Sequence, residues 1–220
     1  MVNQKQKTRE LALYGMFIAI EMIFGLTPIG FIPTPLLTVV TVHIPVILGA
    51  IMIGPKMGAT LGFVFGLTSL INATFLKPNP IESPAFSPFY SYISDDAAFS
   101  GGWQSLVICF IPRILTGLVA AYVFILLRKA IKYDIISAGI AAVLGSLTNT
   151  LLVLFGIYFL IGEPYANAYG MSMDVLLKTI LGIISFNGII EAVSAAVIAV
   201  LVCKPLLKVK DKLFNIKAGA

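Results

Sequence analysis

"TVVTVHIPVILGAIMIGPKMGATLGFVFGLTSLIN", residues 38–72, decides the fold. The run is almost wholly apolar and is interrupted only by Gly54-Pro55-Lys56. Each half approaches the roughly 20 apolar residues that a bilayer crossing takes, so the stretch predicts two membrane helices joined by a tight turn. The same run holds the only histidine of the chain, His43, and three glycines at a spacing of four, Gly58, Gly62 and Gly66. Outward from it, the whole chain has the same character: 59% hydrophobic residues, 11% charged and a mean hydropathy of +0.99. A soluble domain carries about 25% charge. The composition is that of an integral membrane protein.

Six segments read as spans, at about 9–26, 38–54, 57–76, 102–128, 135–162 and 174–203, punctuated by Pro28, Pro55, Pro78, Gly101-Gly102, Gly162 with Pro164, and Pro205. The chain is thus expected to form one transmembrane domain over 1–220. Around the spans lie an N-terminal segment 1–8, a long loop 77–102 and a basic tail 204–220. No small-residue cleavage box follows the first segment, which argues against a removed signal peptide. Lys5, Lys7, Arg9, Lys56, Arg128, Lys129, Lys132 and the tail lysines all fall on one side of six spans, with only Lys77 and Lys178 on the other. The positive-inside rule then makes both termini cytoplasmic. The net charge of +5 is accordingly a topology signal, with a tail suited to anionic headgroups, and argues against nucleic-acid binding.

The external connections are the long ones. Residues 77–103 combine four prolines with Phe86, Phe89, Tyr90, Tyr92, Phe99 and Trp103. A loop of this length is usually functional or disordered; a lid over an external mouth and an aromatic anchor at the interface are the two readings. Small-residue stripes at i, i+4 recur at Gly58/Gly62/Gly66, Gly15/Ala19, Gly117/Ala121, Ala141/Gly145 and Gly188/Ala192/Ala196. Such stripes let helices approach closely in lipid, whether inside the bundle or against a partner.

Ionisable residues within spans are costly and mark functional candidates. With a rise of about 1.5 Å per residue, Glu21 and His43 lie roughly 8 Å below the external end, Arg113 roughly 16 Å, and Asn149 and Asn187 near 20 Å. Glu21 and His43 could pair. Glu191 follows Asn187 by one turn on the same face, and Asn72 sits near the external end of the third segment. Arg113 reads either as a ligand group or as the ion-pair partner of Glu191; the asparagines read as ligand groups or interhelical glue. His43 reads as a ligand group or an enclosed core residue. Cys109 and Cys203 have no metal or redox spacing and read as small apolar packing residues. No phosphate-cradling GxxxxGK[ST] loop, HExxH motif or GxSxG context is present. No catalytic residue, metal or intrinsic cofactor is expected, and a membrane hydrolase using His43 is the less favoured alternative.

With these residues in place, the chain resembles the substrate-binding S components of energy-coupling factor (ECF) vitamin transporters. The resemblance is carried in order by "HIPVILGAIMIGPKMGATLGFVFGLTSL", "PRILTGLVAA", "GSLTNTLLVL" and "NGIIEAVSAAVIAVL". It implies an all-α integral membrane protein, a compact bundle of six transmembrane helices in the cell membrane of a prokaryote. It implies a vitamin held on the external side by helices four to six with the first and third external loops. Candidate ligand residues are His43, Asn72, Phe86, Tyr90, Trp103, Arg113, Asn149, Asn187 and Glu191. The implied partners are a membrane-embedded coupling T component and two ATP-binding cassette subunits, with ATP and Mg confined to those subunits. The coupling face of the family, an alanine-xxx-alanine stripe on the first helix, reads here as Gly15-xxx-Ala19 with Ala12 nearby. The pattern looks most like the pantothenate group, with folate, hydroxymethylpyrimidine and riboflavin carriers as alternatives.

Overall fold

The computed structural model describes residues 4–33, 38–76, 82–93, 99 and 101–214. Helices dominate it. Helix α1 (Gln4–Leu26) leads through a 3₁₀ turn (Pro28–Gly30) into a short antiparallel ribbon, β1 (Phe31–Pro33) with β2 (Thr38–Val40), in which Phe31 faces Val40. Helix α2 (His43–Ile53) and helix α3 (Pro55–Ile71, prolonged by a π turn Asn72–Leu76) follow. The long loop forms two single-turn helices, α4 (Ser83–Phe86) and α5 (Tyr90–Ile93). Then come α6 (Trp103–Ile131), α7 (Asp134–Ala168), α8 (Met173–Ile183), a π turn (Ile184–Gly188) and α9 (Ile189–Phe214).

Among the described residues, four helical stretches are long and apolar enough to cross a membrane: Pro55–Leu76, Trp103–Ile131, Asp134–Ala168 and Met173–Lys212. The other two expected spans differ in kind. Helix α1 has 23 residues but includes Arg9, Glu10 and Glu21. Helix α2 has only 11 residues, and the expected start of its span at Thr38 is ribbon instead. The β-branched run Thr38-Val39-Val40-Thr41-Val42 suits a strand, which explains that difference. The expected stops at Pro164 and Pro205 are not stops: both prolines lie inside helices. A proline removes one helical hydrogen bond, and neighbouring helices and side chains can take up the freed carbonyl. The described part of the basic tail, up to Phe214, therefore continues α9.

The turn between α2 and α3 forms where the sequence places it. Gly54 has φ +124°, a conformation that a side chain rarely adopts, and Pro55 opens α3 at a position that needs no N–H. Along α3, the glycine stripe is a packing surface against α6. A methyl at Gly58 would collide with the Gly117 carbonyl, and one at Gly62 with the Arg113 carbonyl. Gly66 faces the Phe110 ring. Cys109 donates its thiol to the Gly66 carbonyl at 3.2 Å, and Cys203 is likewise buried, so both cysteines pack.

Two cores result. Leu13 and Phe17 of α1 pack with Val42, Val46, Met57, Leu61 and Phe65. Between α2, α6, α7 and α9, alanines (Ala120, Ala121, Ala138, Ala141, Ala142, Ala195, Ala199) interleave with Ile47, Ile51 and Phe124. The loop is tied down as well. Ser105 donates to the Pro84 carbonyl at 2.8 Å, Thr74 and Ser87 share a hydrogen bond of 2.7 Å, and Ala85 packs with Ile108 and Val153.

Candidate functional site

Arg113 is the central feature. It lies on α6 one residue after Pro112, a proline inside the helix. Pro112 has no N–H, so the Ile108 carbonyl, four residues back, loses its helical donor. The Arg113 Nη1 fills that vacancy, donating to the Ile108 oxygen at 2.7 Å. The guanidinium faces two rings, Phe86 of the loop at 4.9 Å and Phe65 of α3 at 5.4 Å from its carbon. Its Nε is buried with no hydrogen-bond partner. A cation with spare donors is thus held between aromatic faces, one of which belongs to the loop.

The expected ion pair with Glu191 is not formed. Glu191 accepts the Val40 N–H at 2.9 Å through Oε1 and the Thr150 hydroxyl at 2.9 Å through Oε2. The carboxylate therefore joins α9 to α7 and to the ribbon. Nearer donors already occupy the carboxylate. The Glu21–His43 pairing is also absent. Both side chains are fully enclosed, and the carboxylate oxygens and ring nitrogens have no well-formed partner among the described residues. Depth says nothing about azimuth around a helix, which is where that expectation fails.

The remaining candidates separate. Asn149, buried on α7 beside Thr150, has an unpartnered Oδ1. Asn187 is buried in the π turn that precedes Glu191. Asn72 donates to the Gly25 carbonyl and so ties α3 to α1. Tyr90 is buried, whereas Trp103 is 67% exposed and Tyr92 84%. The loop aromatics thus divide between the two readings: Phe86 and Tyr90 turn inward, and Phe89, Tyr92 and Trp103 turn out as interfacial anchors would. Phe65 and Thr150 were missed. Thr150 was legible, being four residues after Ser146 and next to Asn149; nothing in the sequence singles out Phe65.

On α1 the expected coupling stripe is open. Ala12, Gly15 and Ala19 are exposed, and a methyl at Gly15 would meet nothing within 4 Å. The opposite face, Leu13, Phe17 and Glu21, is buried. No cluster of three or more metal-ligating side chains occurs among the described residues.

Comparison with known proteins agrees with this architecture. Residues 9–203 match the family model for the ECF transporter, substrate-specific component. The chain belongs to that family. It is an S component, a transporter subunit rather than an enzyme and a multi-pass protein of the cell membrane; membership implies a vitamin substrate and partnership with an energy-coupling module. The S component is 32% identical over 217 residues to the pantothenic acid transporter PanT of Lactococcus lactis subsp. cremoris (strain MG1363), covering 94% of this chain and 98% of that relative. It is 27% identical over 213 residues to the pantothenate transporter PanT of Leuconostoc mesenteroides subsp. mesenteroides (strain ATCC 8293), covering 94% and 96%.

One consequence of the Glu191 contacts is directly measurable. Hydrogen bonds to charged groups are worth about 1.5–3 kcal/mol. Glu191→Ala is therefore expected to speed exchange of the Val40 amide by roughly ten- to a hundredfold, while amides in the middle of α6 keep their protection. Unchanged exchange at Val40 would mean that the ribbon is held by other contacts.

Proposed function

We propose that this S component binds pantothenate from the external side and delivers it inward when coupled to an ATP-driven module. The observation that carries the reading is Arg113, a buried cation with spare donors beneath a loop aromatic. Pantothenate is a small anion with hydroxyls and an amide. Its carboxylate suits Arg113, and Asn149, Asn187, Thr150 and Glu191 offer the donors and acceptors that its polar middle needs. The names of both relatives favour the same vitamin. Phe86 and Tyr90 would cover the site, His43 and Asn72 would support its walls, and Trp103 would anchor the loop at the interface.

In this reading the chain makes six passes. Helix α1 and the short α2 complete the four long apolar helices, and both termini are cytoplasmic, in line with the basic residues at that end. The partners are a T component in the membrane and two ATPases, which alone use ATP and Mg. Calorimetric titration with pantothenate, folate, riboflavin and hydroxymethylpyrimidine is the test. Saturable binding of pantothenate alone is expected, and binding of another vitamin in its place would refute the assignment.

The open stripe on α1 supports a role in docking the T component. Gly15→Leu with Ala19→Leu adds bulk where nothing in the chain stands, so the isolated protein should keep its melting temperature and vitamin affinity. Co-purification with the T component and ATP-driven uptake should be lost, because a close helix contact needs small residues. Lost affinity with intact assembly would place α1 in the site instead.

A further inference from the structure

A second feature lies at the opposite end of the bundle. A cleft of about 310 Å³ opens where the α2–α3 turn meets the last turns of α6 and α9. Its wall is apolar, with Ile51, Phe124 and Ile125, and its rim is basic, with Arg128, Lys129 and Lys210. Arg128 is held in place: its Nε meets Asp134 Oδ1 at 2.7 Å, and its guanidinium carbon lies 6.0 Å from the Phe124 ring centroid. Lys129 is exposed and Lys210 partly buried. The apolar wall runs on to the outer face of α6, where Tyr122 and Leu126 are 55% and 64% exposed.

This is an amphiphilic recess. Its size is that of a small-molecule site, at the lower end of the roughly 300–1,000 Å³ range, and is too small for a folded partner element. Three cations at its rim face two carboxylates, Asp134 on Arg128 and Asp211 near Lys210, so a net positive charge remains to attract an anion. An apolar wall continuous with the bilayer-facing side of α6 favours an anion that carries a hydrocarbon chain.

We propose that the cleft binds an anionic phospholipid, with the phosphate at Lys129, Lys210 and Arg128 and the first acyl methylenes along Ile125 and Phe124. The inference rests on the orientation given above, which sets the basic end at the cytoplasmic leaflet, where anionic lipids lie. The bound lipid would hold the ends of α6 and α9 together at the membrane boundary, away from the vitamin site.

Native mass spectrometry of the purified full chain tests this, with phosphatidylglycerol and phosphatidylcholine of matched chains offered in turn. One retained phosphatidylglycerol and no retained phosphatidylcholine are expected. K129Q with K210Q should weaken retention about thirtyfold, from the typical attraction of two lysines to an anionic headgroup. K129R with K210R should keep it, and both variants should match the wild-type melting temperature in lipid-free detergent and the wild-type pantothenate affinity. Equal retention of both lipids, or by wild type and K129Q/K210Q, would overturn the proposal. Displacement of the lipid by millimolar inorganic phosphate would make the site a free-phosphate site, and preference for a short polyglutamate would make it a protein contact; either result also overturns it. Failure of the wild type to bind any vitamin would count against the proposed function and leave the lipid result intact.

Discussion

Arg113→Gln is expected to weaken pantothenate binding about thirtyfold or more, as truncating one partner of a buried, hydrogen-bonded charge pair costs about 2–5 kcal/mol. The fold should survive. Removing one member of a buried ion pair normally strands the other charge, but Glu191 is already satisfied by Val40 and Thr150, so no carboxylate is orphaned. What is lost within the protein is the donor to the Ile108 carbonyl and the contact with two rings. A modest drop in melting temperature follows from that. Arg113→Lys should fall between the two, because an ammonium keeps the charge without the planar fork. Calorimetry gives the affinities and thermal unfolding in detergent gives the stability. Recovery of a collapsed Arg113→Gln protein by adding Glu191→Gln would mean that the two residues form a structural pair.

Gly62→Ala should harm both stability and binding. The added methyl would drive into the Arg113 carbonyl, a backbone atom that cannot swing aside. Overpacking a tight core costs about 1–3 kcal/mol, and a clash between two helix backbones belongs at the upper end. Helices α3 and α6 must separate to relieve it, and Arg113 moves with α6. With Arg113 in the ligand role proposed above, its displacement should lower vitamin affinity along with the melting temperature. The contrast with Gly15 is the control. Both glycines belong to stripes at a spacing of four, yet only one faces a backbone. A Gly62→Ala protein with wild-type stability and affinity would show that the α3–α6 contact is looser than the structure has it.

That contrast also marks what the sequence disclosed. Apolar length, the Gly54-Pro55 turn and the run of basic residues gave away the membrane class and most helix positions. Proline misled at Pro164 and Pro205, since both lie on exposed faces inside continuous helices and membrane helices tolerate proline. Composition overstated α2, whose β-branched N-terminal neighbours are equally apolar as strand or helix. The buried polar groups were legible as a set of residues, Arg113, Asn149, Asn187 and Glu191, because they stand out against hydrocarbon. Their pairing was not. Depth along a helix can be counted from sequence, whereas the partner of a carboxylate depends on which donor arrives first from another element. For Glu191 that donor was a backbone N–H in the ribbon, which no side-chain pattern announces.

The Pro112-Arg113 step has a mechanical consequence. The acceptor that steadies the guanidinium belongs to the same helix, one turn back, so the positive charge is carried by α6 as a self-contained unit. Among the described residues, no ion pair bridges α6 and α9 at this level. Glu191 instead accepts the Val40 N–H, which ties α9 to the short ribbon. Release of the Val40 N–H from Glu191 would thus free the ribbon from α9 without disturbing the bond that steadies Arg113.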